Sequence, residues 1–151
     1  MTRNFAFISV ALLVAGSSSV VAQAKTSHSK LKYAAAPAAL PAGAEMAVVS
    51  GDPGGKGMFS VNLKMPANYV IPPHTHPTTE KVTVLSGKLG YGMNDKLDTA
   101  HAKTMASGHH LMMTAKMTHW VMAKGPTVIQ VSGKAPFAIT YADPKDDPRN
   151  K

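Results

Sequence analysis

The chain has no cysteine among its 151 residues. That absence removes disulfides as covalent staples, and it removes thiolates as nucleophiles or metal ligands. Aromatic residues are scarce, at 6%, and eight Asp and Glu stand against sixteen Lys and Arg. The excess gives a formal charge of +8, yet the fourteen lysines are scattered, with no basic run and few aromatics between them. Nucleic-acid recognition needs a clustered basic footprint, so no nucleic-acid partner is expected. The lysines read instead as a solvated surface that attracts anions weakly and in a salt-dependent way. Long hydrophobic runs are missing beyond residue 24, so stability must come from burial of short apolar segments.

Residues 1–24 read as a signal peptide. Arg3 supplies a positive start, "FAFISVALLVAG" is an apolar run too short to span a bilayer as an ordinary helix, and Ala22–Ala24 ("AQA") is a small-residue cleavage site. The expectation is export to a periplasm or the outside, with no stable membrane insertion after cleavage. Residues 25–45, rich in Ala, Pro and Lys, read as a flexible arm in which His28 is solvated. Residues 143–151 are a polar C-terminal tail.

Between these, residues 46–142 carry short β-type runs divided by Gly, Pro and Asn. They include "MAVVS", "MFSVNLKM", "YVIPPHTH", "EKVTVLSG", "KLGYGM", "HHLMMTA", "HWVMA", "TVIQVSG" and "FAITYADP". That spacing predicts one all-β domain, a sandwich or barrel, with a single helical turn within "NDKLDTAHAK".

The segment "PPHTHPTTEKVTVLSG", residues 72–87, carries chemistry. In a strand, residues two apart share a face, so His74 and His76 aim at one point; on a helix they diverge by about 200°. Glu80 on a straight continuation would lie about 20 Å from His74, far beyond what one ion bridges with bonds of about 2.0–2.2 Å. The chain must therefore bend at Pro77–Thr79, and Glu80 opens the next strand with Val82 and Val84 on its face. Two strands meeting at a corner around one ion leave room for another ligand. His119 supplies it, after the turn-like "TAKMT" and at the head of an apolar run.

These residues resemble the cupins. The first cupin motif has the shape G-x5-H-x-H-x3,4-E-x6-G, and His74, His76, Glu80 and Gly87 fit it, with Asn68 in place of the leading glycine. The second has the shape G-x5-P-x-G-x2-H-x3-N; Gly108 and His119 match, while Thr114, Lys116 and Ala123 replace Pro, Gly and Asn. The resemblance spans most of residues 46–142 and is nearest to small secreted proteins of the Cupin_2 type. It implies a double-stranded β-helix, or jelly-roll barrel, whose mouth holds one divalent metal through His74, His76, Glu80 and His119. It also implies a small-molecule ligand or substrate and pairing of two barrels as a homodimer.

Three neutral imidazoles and one carboxylate leave a net +1 on a divalent ion, with two positions open if the ion is six-coordinate. Such a centre suits dioxygenase-type chemistry on a small oxygen-bearing substrate, and it suits Lewis-acid isomerisation or decarboxylation. It equally suits a non-catalytic module that holds an oxygen-bearing ligand. No further general base stands at a fixed spacing, so enzyme and binder stay open. Ligand type does not choose among Fe, Mn, Ni, Cu and Zn.

Met112, Met113, Met117 and Met122 crowd the segment around His119. They read as adaptable apolar lining; the alternative is thioether ligation in a copper-handling envelope protein. His109 and His110 face opposite ways on a strand and read as solvent-facing or as partners of ligands, and His101 reads as a surface residue. Trp120 should point away from His119, into a packing layer.

Overall fold

Alternation of apolar and polar residues with period two gives the strands and decides which face each one buries. The clearest case is residues 127–135, where Thr127, Ile129, Val131, Gly133 and Ala135 are buried and the residues between them reach outward. The computed structural model describes residues 31–151. The expected signal peptide, its cleavage site, His28 and the first part of the arm lie outside the described residues.

Eleven strands form among the described residues. In chain order they are β1 (Ala34–Ala35), β2 (Glu45–Ser50), β3 (Gly57–Met65), β4 (Val70–Thr75), β5 (Glu80–Ser86) and β6 (Lys88–Gly92). Then follow β7 (Lys103–Ala106), β8 (His110–Met113), β9 (His119–Ala123), β10 (Thr127–Ala135) and β11 (Thr140–Tyr141). Two antiparallel sheets result, one ordered β1-β2-β3-β10-β5-β8 and the other β11-β4-β9-β6-β7. This is the jelly-roll barrel the motifs implied. The predicted helical turn is a 3-10 turn at Thr99–His101, capped by the Asp98 carboxylate. The two-residue β1 and the hydrophilic β7, which is largely exposed, were not foreseen, because neither carries the alternation that marks a buried face.

The core lies between the sheets. Phe59, Val61 and Leu63 of β3 pair in register with Gly133, Val131 and Ile129 of β10, and those three in turn with Glu80, Val82 and Val84 of β5. Each buried aliphatic or aromatic side chain contributes about 1.5–3 kcal/mol. Trp120 is buried on the side away from His119 and donates its indole N–H to the Asn94 side chain at 3.0 Å. It packs where Gly92 has no side chain, since a Cβ there would lie 2.3 Å from the indole.

Residues 31–45 run along the barrel. Ala34–Ala35 add to β2, the Tyr33 hydroxyl accepts from Asn62 on the outer face, and Lys64 sits 3.6 Å over the Tyr33 ring. Two buried tyrosines hold the next stretch, Tyr69 donating to the Pro41 carbonyl and Tyr141 to that of Ala39. Burial raises the Tyr69 hydroxyl to about 12. Residues 144–150 form two 3-10 turns, each capped by an aspartate, Asp143 and Asp147.

Gly87 ends β5 at φ 81°, and a Cβ there would lie 2.4 Å from the Pro126 carbonyl oxygen. Gly87→Ala should therefore lose at least about 2 kcal/mol, from the left-handed backbone and the clash together. Urea denaturation measures it, and a loss under half that value would contradict the geometry.

Candidate metal centre

The corner inferred from the sequence is the junction of the two sheets. His74 lies on β4 and pairs directly with His119, the first residue of β9. His76 stands just past the end of β4, and Glu80 opens β5 on the opposite sheet. Pro72 and Pro73 sit where the β4–β9 register shifts between Ile71 and His74, so their missing N–H groups interrupt no regular ladder. The bend at Pro77–Thr79 is pinned on both sides: the Thr78 hydroxyl donates to the Lys134 carbonyl, and the Ala115 amide donates to the Thr79 hydroxyl.

All four side chains are buried, with exposures between 2% and 7%. The three imidazoles each offer a nitrogen within 4.8 Å of the others, and their ring centroids are 4.2–5.4 Å apart. Glu80 Oε2 lies 3.2 Å from His119 Nε2 and 3.5 Å from His76 Nε2. An ion with bonds of about 2.1 Å holds octahedral neighbours about 3.0 Å apart and opposite donors about 4.2 Å apart. The three imidazoles are spaced on that scale, and Glu80 Oε2 lies within it of His76 and His119.

The proton positions sharpen this fit. Each Nδ1 meets a main-chain carbonyl: His74 that of Pro72 at 2.7 Å, His76 that of Ala138 at 2.7 Å, and His119 that of Met117 at 2.9 Å. A carbonyl only accepts, so each Nδ1 carries the proton and a neutral ring leaves Nε2 bare. Burial, reinforced by the neighbouring imidazoles, lowers the pKa of His74 to about 3. Burial also lowers that of His76, against the opposing pull of Glu80 and the Ala138 carbonyl. Glu80 Oε2 has no hydrogen-bond donor at all. With neutral rings, the Nε2 atoms and Glu80 Oε2 are acceptors facing one another, an arrangement that a cation matches.

No family model matches the chain, and no curated protein matches it. Solved structures do. A protein from Methylibium petroleiphilum assigned as an acetylacetone dioxygenase superposes with TM-score 0.62 at 14% identity, over 94% of this chain and 90% of its own. The polyketide cyclase RemF from Streptomyces resistomycificus gives 0.61 at 16%, over 80% and 85%. An RmlC-like cupin from Shewanella frigidimarina gives 0.57 at 7%, over 71% and 86%. The barrel has the cupin fold.

Within the cupin barrel, the four side chains line a cavity of about 440 Å³. Its rim includes the exposed Pro37, Gly54, Ala138 and Arg149. Phe137 stacks on His76, with centroids 4.1 Å apart and planes at 18°. Sequence reasoning left open whether Phe137 is core or pocket, and it missed Arg149 and the Ala138 carbonyl, because the run "FAITYADP" carries no metal-site signal; of that run only Thr140–Tyr141 form a strand. His101, His109 and His110 are exposed and lie apart from the cluster. Of the crowded methionines, Met113 is core, but Met112 and Met117 are exposed at 53% and 38%, which corrects their reading as barrel lining. Met112 shares an edge strand's outer face with His110, where side chains alternate away from the core.

The buried imidazoles make the metal-free protein acid-sensitive. An unfolded chain protonates His74 near pH 6.5, whereas the folded protein holds it neutral down to about 3. The unfolded state therefore binds more protons in that window, and stability should fall as pH drops from about 6.5 towards 3, by up to about 1.4 kcal/mol per pH unit from this one group. Denaturation of chelator-treated protein across that range measures the slope, and His74→Gln should flatten it.

Proposed function

We propose that this protein holds one divalent transition metal through Nε2 of His74, His76 and His119 and the carboxylate of Glu80, and uses it to bind and oxidise a small oxygen-bearing molecule outside the cytoplasm. The observation that carries the reading is the meeting of three bare imidazole nitrogens with a carboxylate oxygen that has no donor, all buried. A divalent ion in such a set supplies a Lewis-acid centre with positions open to an oxygen donor. The signal-like residues 1–24 support the placement outside the cytoplasm.

The chain's own residues favour oxidation or simple holding over proton-transfer chemistry. Besides the four proposed ligands, the one ionisable side chain on the cavity wall among the described residues is Arg149, which stays protonated. An isomerisation that needs a separate general base has no such group to use. The carbonyls of Pro72, Ala138 and Met117 lock the ring orientations, and Phe137 covers one face of His76. The apolar wall around them excludes water and strengthens every electrostatic contact inside. Arg149, already paired with Asp147 at 2.6 Å, leaves the rim cationic only in part. The names of the structural neighbours span oxidation and cyclisation, so the reaction rests on the cavity and not on them.

Elemental analysis of protein from its native compartment should find one ion per chain. His76→Ala should lose it, and Glu80→Gln should weaken binding by about 10-fold or more while leaving the barrel folded. Oxygen uptake by the iron form with small diketones, catechols or hydroxyketones separates enzyme from binder. Several ions per chain that survive His76→Ala would support the metal-handling alternative and sink this reading.

A further inference from the structure

The cavity does not end at the histidines. The register of β3, β10 and β5 stacks inward-facing residues in tiers: Phe59, Gly133 and Glu80 level with the cluster, then Val61, Val131 and Val82, then Leu63 and Ile129. Every one of these except Gly133 lines the same cavity as the three imidazoles. From the facing sheet, Ile71 and Val121 close the chamber, two or three residues along from His74 and His119. The second and third tiers thus offer no hydrogen-bonding side chain.

Protein interiors are close-packed, and a void among aliphatic side chains forfeits both contacts and stability. An apolar void of about 150 Å³ already takes up a benzene ring and stays free of water. The space here is about 440 Å³, and it joins a polar centre at one end to aliphatic walls at the other. Two tiers add about 13 Å of depth at about 3.3 Å per residue, room for an extended chain of about eight carbons.

We infer that the molecule bound here is an amphiphile, with an oxygen-donor head at the histidine–glutamate centre and an unbranched apolar tail of up to about eight carbons between the sheets. The head end rests on the metal centre proposed above; the tail end rests on the tiers alone. Val61, Val131 and Ile129 set how long the tail can be.

Two measurements test this independently. Octan-1-ol added to metal-free protein should shift the methyl NMR signals of Val61, Val131 and Ile129, and leave those of the exposed Val48 unmoved. The absence of such shifts would overturn the inference whatever the metal does. The zinc-loaded protein should then bind n-alkyl hydroxamates with affinity rising about fourfold per methylene, to a limit near eight carbons. Ile129→Phe should shorten that limit by two or more carbons without changing acetohydroxamate binding, and Val131→Phe should shorten it further. Flat affinity along the series, with acetohydroxamate still bound, would overturn the tail and leave the metal centre standing. Methyl shifts with octan-1-ol but no retained zinc would sustain the chamber and overturn the metal reading instead.

Discussion

Each imidazole of the cluster gives its Nδ1 proton to a main-chain carbonyl, and the character of the site depends on those three hydrogen bonds. With the carbonyls in place, the rings are fixed in one tautomer and their bare nitrogens face inward. Two of the acceptors are local, Pro72 and Met117, each two residues before its histidine, so the backbone path of β4 and of the turn before β9 supplies them. The third is distant. Ala138 lies 62 residues from His76, in the segment between β10 and β11. The same segment brings Phe137 onto the His76 ring and carries Ile139, whose carbonyl accepts from Arg149. The closing segment of the chain therefore orients the second histidine of the first motif.

The division of the four side chains between sheets adds a second constraint. The histidines come from β4, its end and β9, while Glu80 comes from β5 across the barrel. No short piece of chain can preform this cluster, and the donors reach their spacing only when both sheets have packed. Binding free energy at such a site adds to folding free energy, because the unfolded chain cannot present it. The buried Glu80 oxygen without a donor makes the same point from the other side: burying it costs free energy that a cation held as proposed would offset.

Much of this was legible in the sequence. Period-two alternation gave most of the strands, and the impossibility of a straight path from His74 to Glu80 gave the corner. What stayed illegible lacked local periodicity. β1 is two residues long, β7 buries one side chain of four, and Phe137 and Ala138 sit outside regular pairing. The methionines misled for a physical reason: Met112 and Met113 are adjacent, so one must face out, and strand position decides which. Nothing in the sequence revealed the depth of the cavity, because the same valines and isoleucines would have served a filled core.

At the two places where a cupin motif has glycine and this chain does not, its backbone takes the left-handed conformation that favours glycine. Asn68 and Lys116 have φ of 64° and 63°, and they are the non-glycine residues with positive φ among the described residues. Asparagine tolerates that conformation, but lysine adopts it at a cost of about 1–2 kcal/mol. The local bonds offset part of that cost. The Lys116 amide donates to the His76 carbonyl at 2.8 Å, and the Met117 amide donates to Thr114 at 3.0 Å, closing the turn. That turn leaves the Met117 carbonyl aimed at His119 Nδ1. The strained residue thus ties the chain beside His76 to the turn before β9 and sets the orientation of the last histidine.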